Sequence, residues 1–177
     1  MSRHRLALLP FALLAIAAAP APKAPPKAEP KPAQTPVEVF DARDPRGLMS
    51  ILDTAGAKAQ TSQRDDDAVL VSVTSAVAAF SMQFVGCAGG RACKAVLFDS
   101  ALEGAPTTAQ INGFNQASAM CRVVQARAGG AHVLYSTLLF GTTTRADAVT
   151  HLAAWQGCLA DARDFAKDPV RFLAEAA

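Results

Sequence analysis

The sequence predicts an α+β domain, built as one twisted antiparallel sheet with three helices. Several short segments rich in Val and Phe alternate apolar with polar residues, which is typical of half-buried strands. Three other segments repeat apolar residues at helical spacing behind residues that cap helices. Their order along the chain is helix, strands, helix, two strands, helix, without an internal repeat.

Each predicted helix has a start signal. The three helices are expected to run from Asp44-Pro45 to Gly56, from Thr108 to Met120 and from Thr144 to Phe165. Asp44 can cap the first helix ahead of a proline, which needs no amide partner in the first turn. Thr107 and Gln110 have the spacing of a capping box for the second helix. Asp168-Pro169 ends or kinks the third helix, and residues 170–176 are open to a final turn.

The predicted strands are joined by short turns at two places. The strands are expected at Lys58 to Gln63, Ala68 to Thr74, Val77 to Val85, Ala95 to Phe98, Arg122 to Ala128 and Ala131 to Phe140. The short link Ser75-Ala76 predicts an antiparallel hairpin. Gly129-Gly130 is a second hairpin signal, because glycine reaches the positive φ values of tight turns.

Residues 1–19 have the three parts of a secretory signal peptide. Arg3 and Arg5 give a cationic start, an apolar stretch follows, and Ala17 to Ala19 supply small residues near the expected cleavage site. The apolar stretch is shorter than the roughly 20 residues of a membrane-spanning helix, so no stable membrane span is expected. A retained N-terminal anchor is the alternative. The protein is therefore expected to be periplasmic or secreted.

Residues 20–36 are expected to form a disordered linker, and residues 37–177 the folded domain. Seven of the 17 linker residues are proline, which favours extended chain over helix or sheet. The whole chain has a net charge of only +2 and no block of basic residues. Because nucleic-acid binding relies on clustered cations, no nucleic-acid partner is expected.

The four cysteines allow the most specific chemical prediction, which concerns disulfide pairing. Cys87 and Cys93 bracket a glycine-containing loop between two predicted strands, so an exported chain is expected to join them in a disulfide. The alternatives are two free thiols, a metal site or a redox site. A metal site would need further ligands nearby, and a redox site would need the spacing C-x-x-C, and the sequence has neither. Cys121 and Cys158 lie at a helix end and within the last helix. They are equally consistent with a second disulfide and with two buried thiols.

No enzymatic motif is present, so neither catalytic residues nor a metal or cofactor is expected. His132 and His151 have no evident carboxylate or cysteine partner in the sequence, and are interpreted as a strand residue and a helix-surface residue. Trp155 lies at helical spacing from Leu152 and Leu159, which favours a place in the core.

Three short stretches together resemble the YbjN-domain family, whose members are often labelled bacterial sensory transduction regulators. They are Phe84-Val85-Gly86-Cys87, Cys93 with Val96-Leu97-Phe98, and Ile111-Asn112-Gly113-Phe114-Asn115. The resemblance covers roughly Gly47 to Phe165. It implies a fold similar to the dimeric chaperones of type III secretion, and hence a homodimer paired through the middle helix. It further implies a non-catalytic binding or regulatory role, whereas the leader argues against a cytosolic one.

The sequence therefore predicts an exported binding protein of the bacterial cell envelope that recognises a protein or peptide. The sheet edge, or the middle-helix face formed by Ile111, Asn112, Phe114 and Asn115, would carry recognition. The two asparagines could instead satisfy backbone groups nearby. The alternative function is a small envelope enzyme or ligand sensor with a polar site around His132, Asn112 and Asn115.

Overall fold

Six strands form one antiparallel sheet, with four helices, in the computed structural model of the chain, which describes residues 39–127 and 129–176. The elements in chain order are α1 (Pro45–Thr54), β1 (Lys58–Arg64), β2 (Ala68–Thr74), β3 (Ala79–Val85), β4 (Ala95–Leu102), α2 (Thr108–Ala117), β5 (Arg122–Gln125), β6 (Ala131–Leu138), α3 (Arg145–Lys167) and α4 (Pro169–Glu175). The predicted α+β class and antiparallel sheet are confirmed. The predicted signal peptide and linker lie outside the described residues.

The strand order across the sheet is β1-β2-β3-β4-β6-β5, and every neighbouring pair is antiparallel. β4 and β6 are therefore neighbours in space, although α2 and β5 lie between them in the chain. The connection from β4 to β6 therefore places side chains that are far apart in the sequence on adjacent strands.

One face of the sheet forms the core. The buried strand residues lie in matching register on that face: Val69, Val71, Val73, Met82, Phe84, Val96, Phe98, Val123, Val133 and Tyr135. Trp155 of α3 contacts the rings of Phe80 and Phe98 there. The alternate residues of the same strands are exposed or half-buried. Within the described residues, the helices therefore cover one face of the sheet and leave the other open.

The helix start signals operate as the sequence predicts. Asp44 accepts a hydrogen bond from the N–H of Arg46, and Pro45 occupies the first turn of α1. Thr107 and Gln110 form the predicted capping box of α2, in which each side chain bonds a backbone group of the other residue.

A fourth helix stands where the sequence was expected to add at most a final turn, so the predicted count of three is wrong. Asp168 caps α4 by accepting from the N–H of Arg171, and Pro169 fills its first position. Phe172 of α4 packs against Phe114 and Phe165. Burial of this ring gives the short helix an apolar contact that local propensity alone does not provide.

Several boundaries also differ from the predicted ones. α2 ends at Ala117 rather than Met120, because Ser118 is extended and its hydroxyl accepts from the N–H of Cys121. β4 continues to Leu102 rather than Phe98, because it pairs with β6 as far as Ala131. β3, β5 and β6 are each shorter than predicted by two residues or more.

Candidate binding surface

All four cysteines form disulfides, Cys87 with Cys93 and Cys121 with Cys158. The first bridge closes the connection between β3 and β4, as predicted. The second, which the sequence left open, joins the residue before β5 to the middle of α3, 37 positions away. Cross-linking a loop of that size stabilises by about 4 kcal/mol in the chain-entropy model. The first bridge thus closes a connection between two central strands, and the second ties the β5 end of the sheet to α3.

The face of α2 predicted to meet a partner is largely used inside the domain. Ile111 and Phe114 are buried, and the ring centroids of Phe114 and Phe165 are 5.0 Å apart. The outward side of the helix carries polar or small residues such as Asn112 and Gln116, both exposed. The described part of α2 therefore offers no continuous apolar patch for pairing with a second copy.

Asn115 makes a pair of hydrogen bonds to the backbone of β5. Its Nδ2 donates to the carbonyl oxygen of Val123 over 2.9 Å, and its Oδ1 accepts from the Val123 N–H over 2.8 Å. This is the backbone role that the sequence left open against partner binding. The carboxamide takes the place of a neighbouring strand, so the β5 edge is closed at this residue.

The other sheet edge, β1, is also poorly suited to strand addition. It is polar apart from Ala59, carries Lys58 and Arg64 at its ends, and has an irregularity between Thr61 and Gln63. Edge charges and bulges of this kind discourage pairing with a further strand. The geometry therefore moves the candidate site from the sheet edge to the sheet face.

His132 has a carboxylate partner that sequence reasoning missed. Its Nδ1 lies 2.6 Å from Oδ1 of Asp99, and the two side chains are 35% and 34% exposed. Asp99 of β4 stands opposite Leu134 of β6, two residues from His132. An ionised carboxylate only accepts, so the ring donates from Nδ1 and leaves Nε2 outside this bond.

Four aliphatic side chains share the uncovered side of the sheet with the Asp99–His132 pair, and the exposed Arg122 and Ser136 lie among them. Leu97 and Leu134 are half-buried, whereas Val124 is 38% and Leu138 60% exposed. We call this surface the open face, defined by Leu97, Asp99, Val124, His132, Leu134 and Leu138. Exposed aliphatic side chains that alternate with polar ones are also found in protein docking surfaces.

His132, Asn112 and Asn115 do not converge on one site. His132 bonds Asp99 on the open face, Asn115 bonds the backbone edge of β5, and Asn112 is exposed on α2. The polar pocket that an enzyme or sensor would need from these three residues is absent from the described part of the chain.

His151, interpreted from the sequence as a helix-surface residue, is half-buried on α3 and has a side-chain partner. Its Nδ1 lies 2.7 Å from the Tyr135 hydroxyl, and its Nε2 lies 3.4 Å from Oγ1 of Thr137. Burial raises the pKa of Tyr135 further above its usual value. Trp155 lies in the core, 1% exposed, as predicted.

Across residues 39–127 and 129–176, no group of three or more His, Cys, Asp or Glu side chains is placed to hold a metal ion. No helix in that part of the chain is both long and apolar enough to cross a membrane.

No protein-family model, curated protein or solved structure matches the chain. The resemblance to the YbjN-domain family therefore stays a prediction.

Proposed function

We propose that this protein is an exported, non-catalytic binding protein of the bacterial cell envelope, which docks a protein or peptide partner on the open face. The observation that supports it is the aliphatic surface around Asp99 and His132, on the side of the sheet away from the helices. Leu97, Leu134 and Val124 offer apolar contact, while the acid–histidine pair offers a polar centre that selects the partner's orientation.

The proposed location rests on the two disulfides. Their presence fits an oxidising, exported compartment, in which thiols of a secreted domain pair and persist. The amino-terminal sequence, with its cationic start and short apolar stretch, supports export through a signal peptide.

The size of the sheet suggests a reversible interaction. Five strands of seven or eight residues and one of four, about 4.8 Å apart, present roughly 600 Å² on one face. A standard stable interface buries about 800 Å² on each partner. The open face occupies only β4, β5 and β6 and is smaller still, so it is suited to a peptide segment or to a transient protein partner.

The resemblance to the YbjN-domain family and to type III secretion chaperones supports the same class of role. A homodimer remains part of this proposal, with pairing through the open face instead of α2, because Ile111 and Phe114 are buried within one copy. The enzyme or sensor alternative has less support, because its three residues lie on separate surfaces.

Site-specific photo-crosslinking in intact cells tests the proposal. A photoreactive amino acid replaces Leu97 on the open face, or Ala153 on the exposed side of α3 as the matched control. We expect defined adducts only from position 97, of twice the chain mass for self-pairing or of another mass for a different partner. Equal patterns from both positions, or no adduct at 97, would contradict the proposal.

A further inference from the structure

A cleft lies at the end of the sheet where β3 and β4 stop pairing. The paired residues of the two strands end at Ser81, opposite Asp99. β3 nevertheless begins at Ala79, and β4 continues to Leu102. Beyond the last pair, the hydroxyl of Ser100 donates to the carbonyl oxygen of Ala79 over 2.9 Å. β4 is paired there only with β6, and a cavity of about 570 Å³ lies beside it.

The second half of α3 forms the other wall of the cleft. Apolar side chains line it, among them the buried Leu159 of α3 and the half-buried Leu102 of β4. Its charged residues are Glu103, Arg163 and Lys167, which bring two positive charges against one negative charge. No residue of the open face lines it, so the cleft is a separate candidate site. Its volume falls within the roughly 300–1,000 Å³ of small-molecule sites.

Arg163 and Lys167 lie on one side of α3, because residues four positions apart are about one helical turn apart. Neither forms an ion pair with another described residue. The Nη2 of Arg163 donates to the carbonyl oxygen of Val77 over 2.7 Å, two residues before Ala79 in the wall of the cleft. This bond fixes the guanidinium near the start of β3 and leaves its other N–H groups for a further acceptor. Two neighbouring cations without a carboxylate partner are suited to hold an anion.

We propose that the cleft binds a small monocarboxylic acid with an apolar chain, whose carboxylate is held by Arg163 and Lys167 and whose chain lies against Leu102. A guanidinium binds a carboxylate through two N–H groups, and a lysine ammonium adds a point charge. A doubly charged phosphate is less suitable, because Glu103 and the negative end of the α3 dipole repel a second negative charge.

NMR titration of the full ¹⁵N-labelled chain tests the proposal with three small molecules. Hexanoate carries the carboxylate and the apolar chain, hexanamide has the same shape without the charge, and acetate has the charge without the chain. We expect saturable shifts of the Glu103 and Gly104 amide resonances with hexanoate. Hexanamide and acetate should each bind at least about fivefold more weakly, since each lacks one of the two kinds of contact.

Charge variants show whether the cations of the cleft hold the carboxylate. Lys167→Gln should weaken hexanoate binding about two- to fivefold, which is the effect of one partly exposed ion pair. Glu103→Gln should strengthen it by a similar factor, because it removes a repelling charge. Lys94→Gln removes an exposed charge at the opposite end of β4 and should leave the binding unchanged.

Melting curves establish that each variant is folded. Lys167→Gln is preferred to a change of Arg163, whose bond to Val77 also holds the turn between β2 and β3. The proposal is overturned if the native chain does not respond to hexanoate, if hexanamide or acetate binds as tightly, or if folded Lys167→Gln binds like Lys94→Gln. It is also overturned if Glu103→Gln does not bind hexanoate more tightly than the native chain.

Discussion

The carboxamide of Asn115 on α2 holds both backbone polar groups of Val123 on β5, at 2.9 and 2.8 Å. This contact replaces the strand that would otherwise extend the sheet. It also ties the middle helix to the sheet edge, so one side chain both fixes α2 and closes β5.

Asn115→Ala should lower the free energy of unfolding by about 1–3 kcal/mol, because it leaves the buried Val123 groups without partners. Urea unfolding of the oxidised protein measures the change. Asn112→Ala, on the exposed side of the same helix, is the control and should stay within about 0.5 kcal/mol of the native value. If both variants lowered the free energy of unfolding equally, the hydrogen bonds from Asn115 to Val123 would contribute no stability of their own.

The disulfides give a second prediction. Protein purified without reductant should leave Cys87, Cys93, Cys121 and Cys158 unmodified by a thiol reagent after unfolding. Replacing Cys121 and Cys158 together by Ala should lower the free energy of unfolding by about 4 kcal/mol, and replacing Cys87 and Cys93 should lower it by about 2 kcal/mol. The difference arises because the bridge from Cys121 to Cys158 closes the longer loop. The disulfide assignment would be contradicted if the unfolded native sequence were readily labelled, or if the two double variants lost the same free energy of unfolding.

Burial of the α2 face gives a third prediction. Phe114→Ala should destabilise by about 3–5 kcal/mol, because the ring is fully buried against Phe165 and Phe172. Ile111→Asp should prevent folding, since it places a carboxylate in the same core. Gln116→Ala, exposed on the same helix, should melt like the native protein. A normal melting curve for Phe114→Ala would show that this face is not part of the core.

Local signals in the sequence predicted local structure well. The capping box of Thr107 and Gln110 and the limits of β2 are confirmed, because each depends on residues a few positions apart. The pairing of Asp99 with His132, 33 residues apart, depends on β4 and β6 being neighbours, which periodicity does not specify. The predicted strand also ended at Phe98, so Asp99 was expected in the loop beyond the sheet, whereas it lies on β4.

The second disulfide and the role of Asn115 were open at the sequence level for the same reason. Both depend on where α3 and β5 come to lie after folding. The fourth helix was missed because a helix of seven residues, counting its first proline, carries little periodic signal, and the packing of Phe172 stabilises it.

Acid should weaken the start of α3. Hydrogen bonds from the hydroxyl and the N–H of Thr144 lower the pKa of Asp147 in the folded protein. A lowered folded pKa contributes stability that is present above the unfolded value of about 3.9 and is lost as the pH falls below it. Asp147→Asn keeps an acceptor but does not titrate, so its unfolding free energy should fall less steeply below about pH 4.

The control for this prediction is Asp161→Asn, an exposed position on the same helix without a capping role. Urea midpoints at several pH values between about 2.5 and 6 compare the three proteins across the range in which aspartate titrates. If the stability of Asp147→Asn and that of Asp161→Asn fell equally steeply with decreasing pH, the Asp147 cap would not contribute to the acid sensitivity.

The central claim is that the open face, and no other surface, carries the partner. The most direct measurement is the yield of adduct from a photoreactive residue at position 97, in chains that carry Leu134→Lys or Val170→Lys. Leu134 lies on the open face, whereas Val170 is an exposed residue of α4. We predict that Leu134→Lys sharply lowers the yield, with an unchanged melting curve, and that Val170→Lys retains it. Equal yields from the two variants would contradict the account.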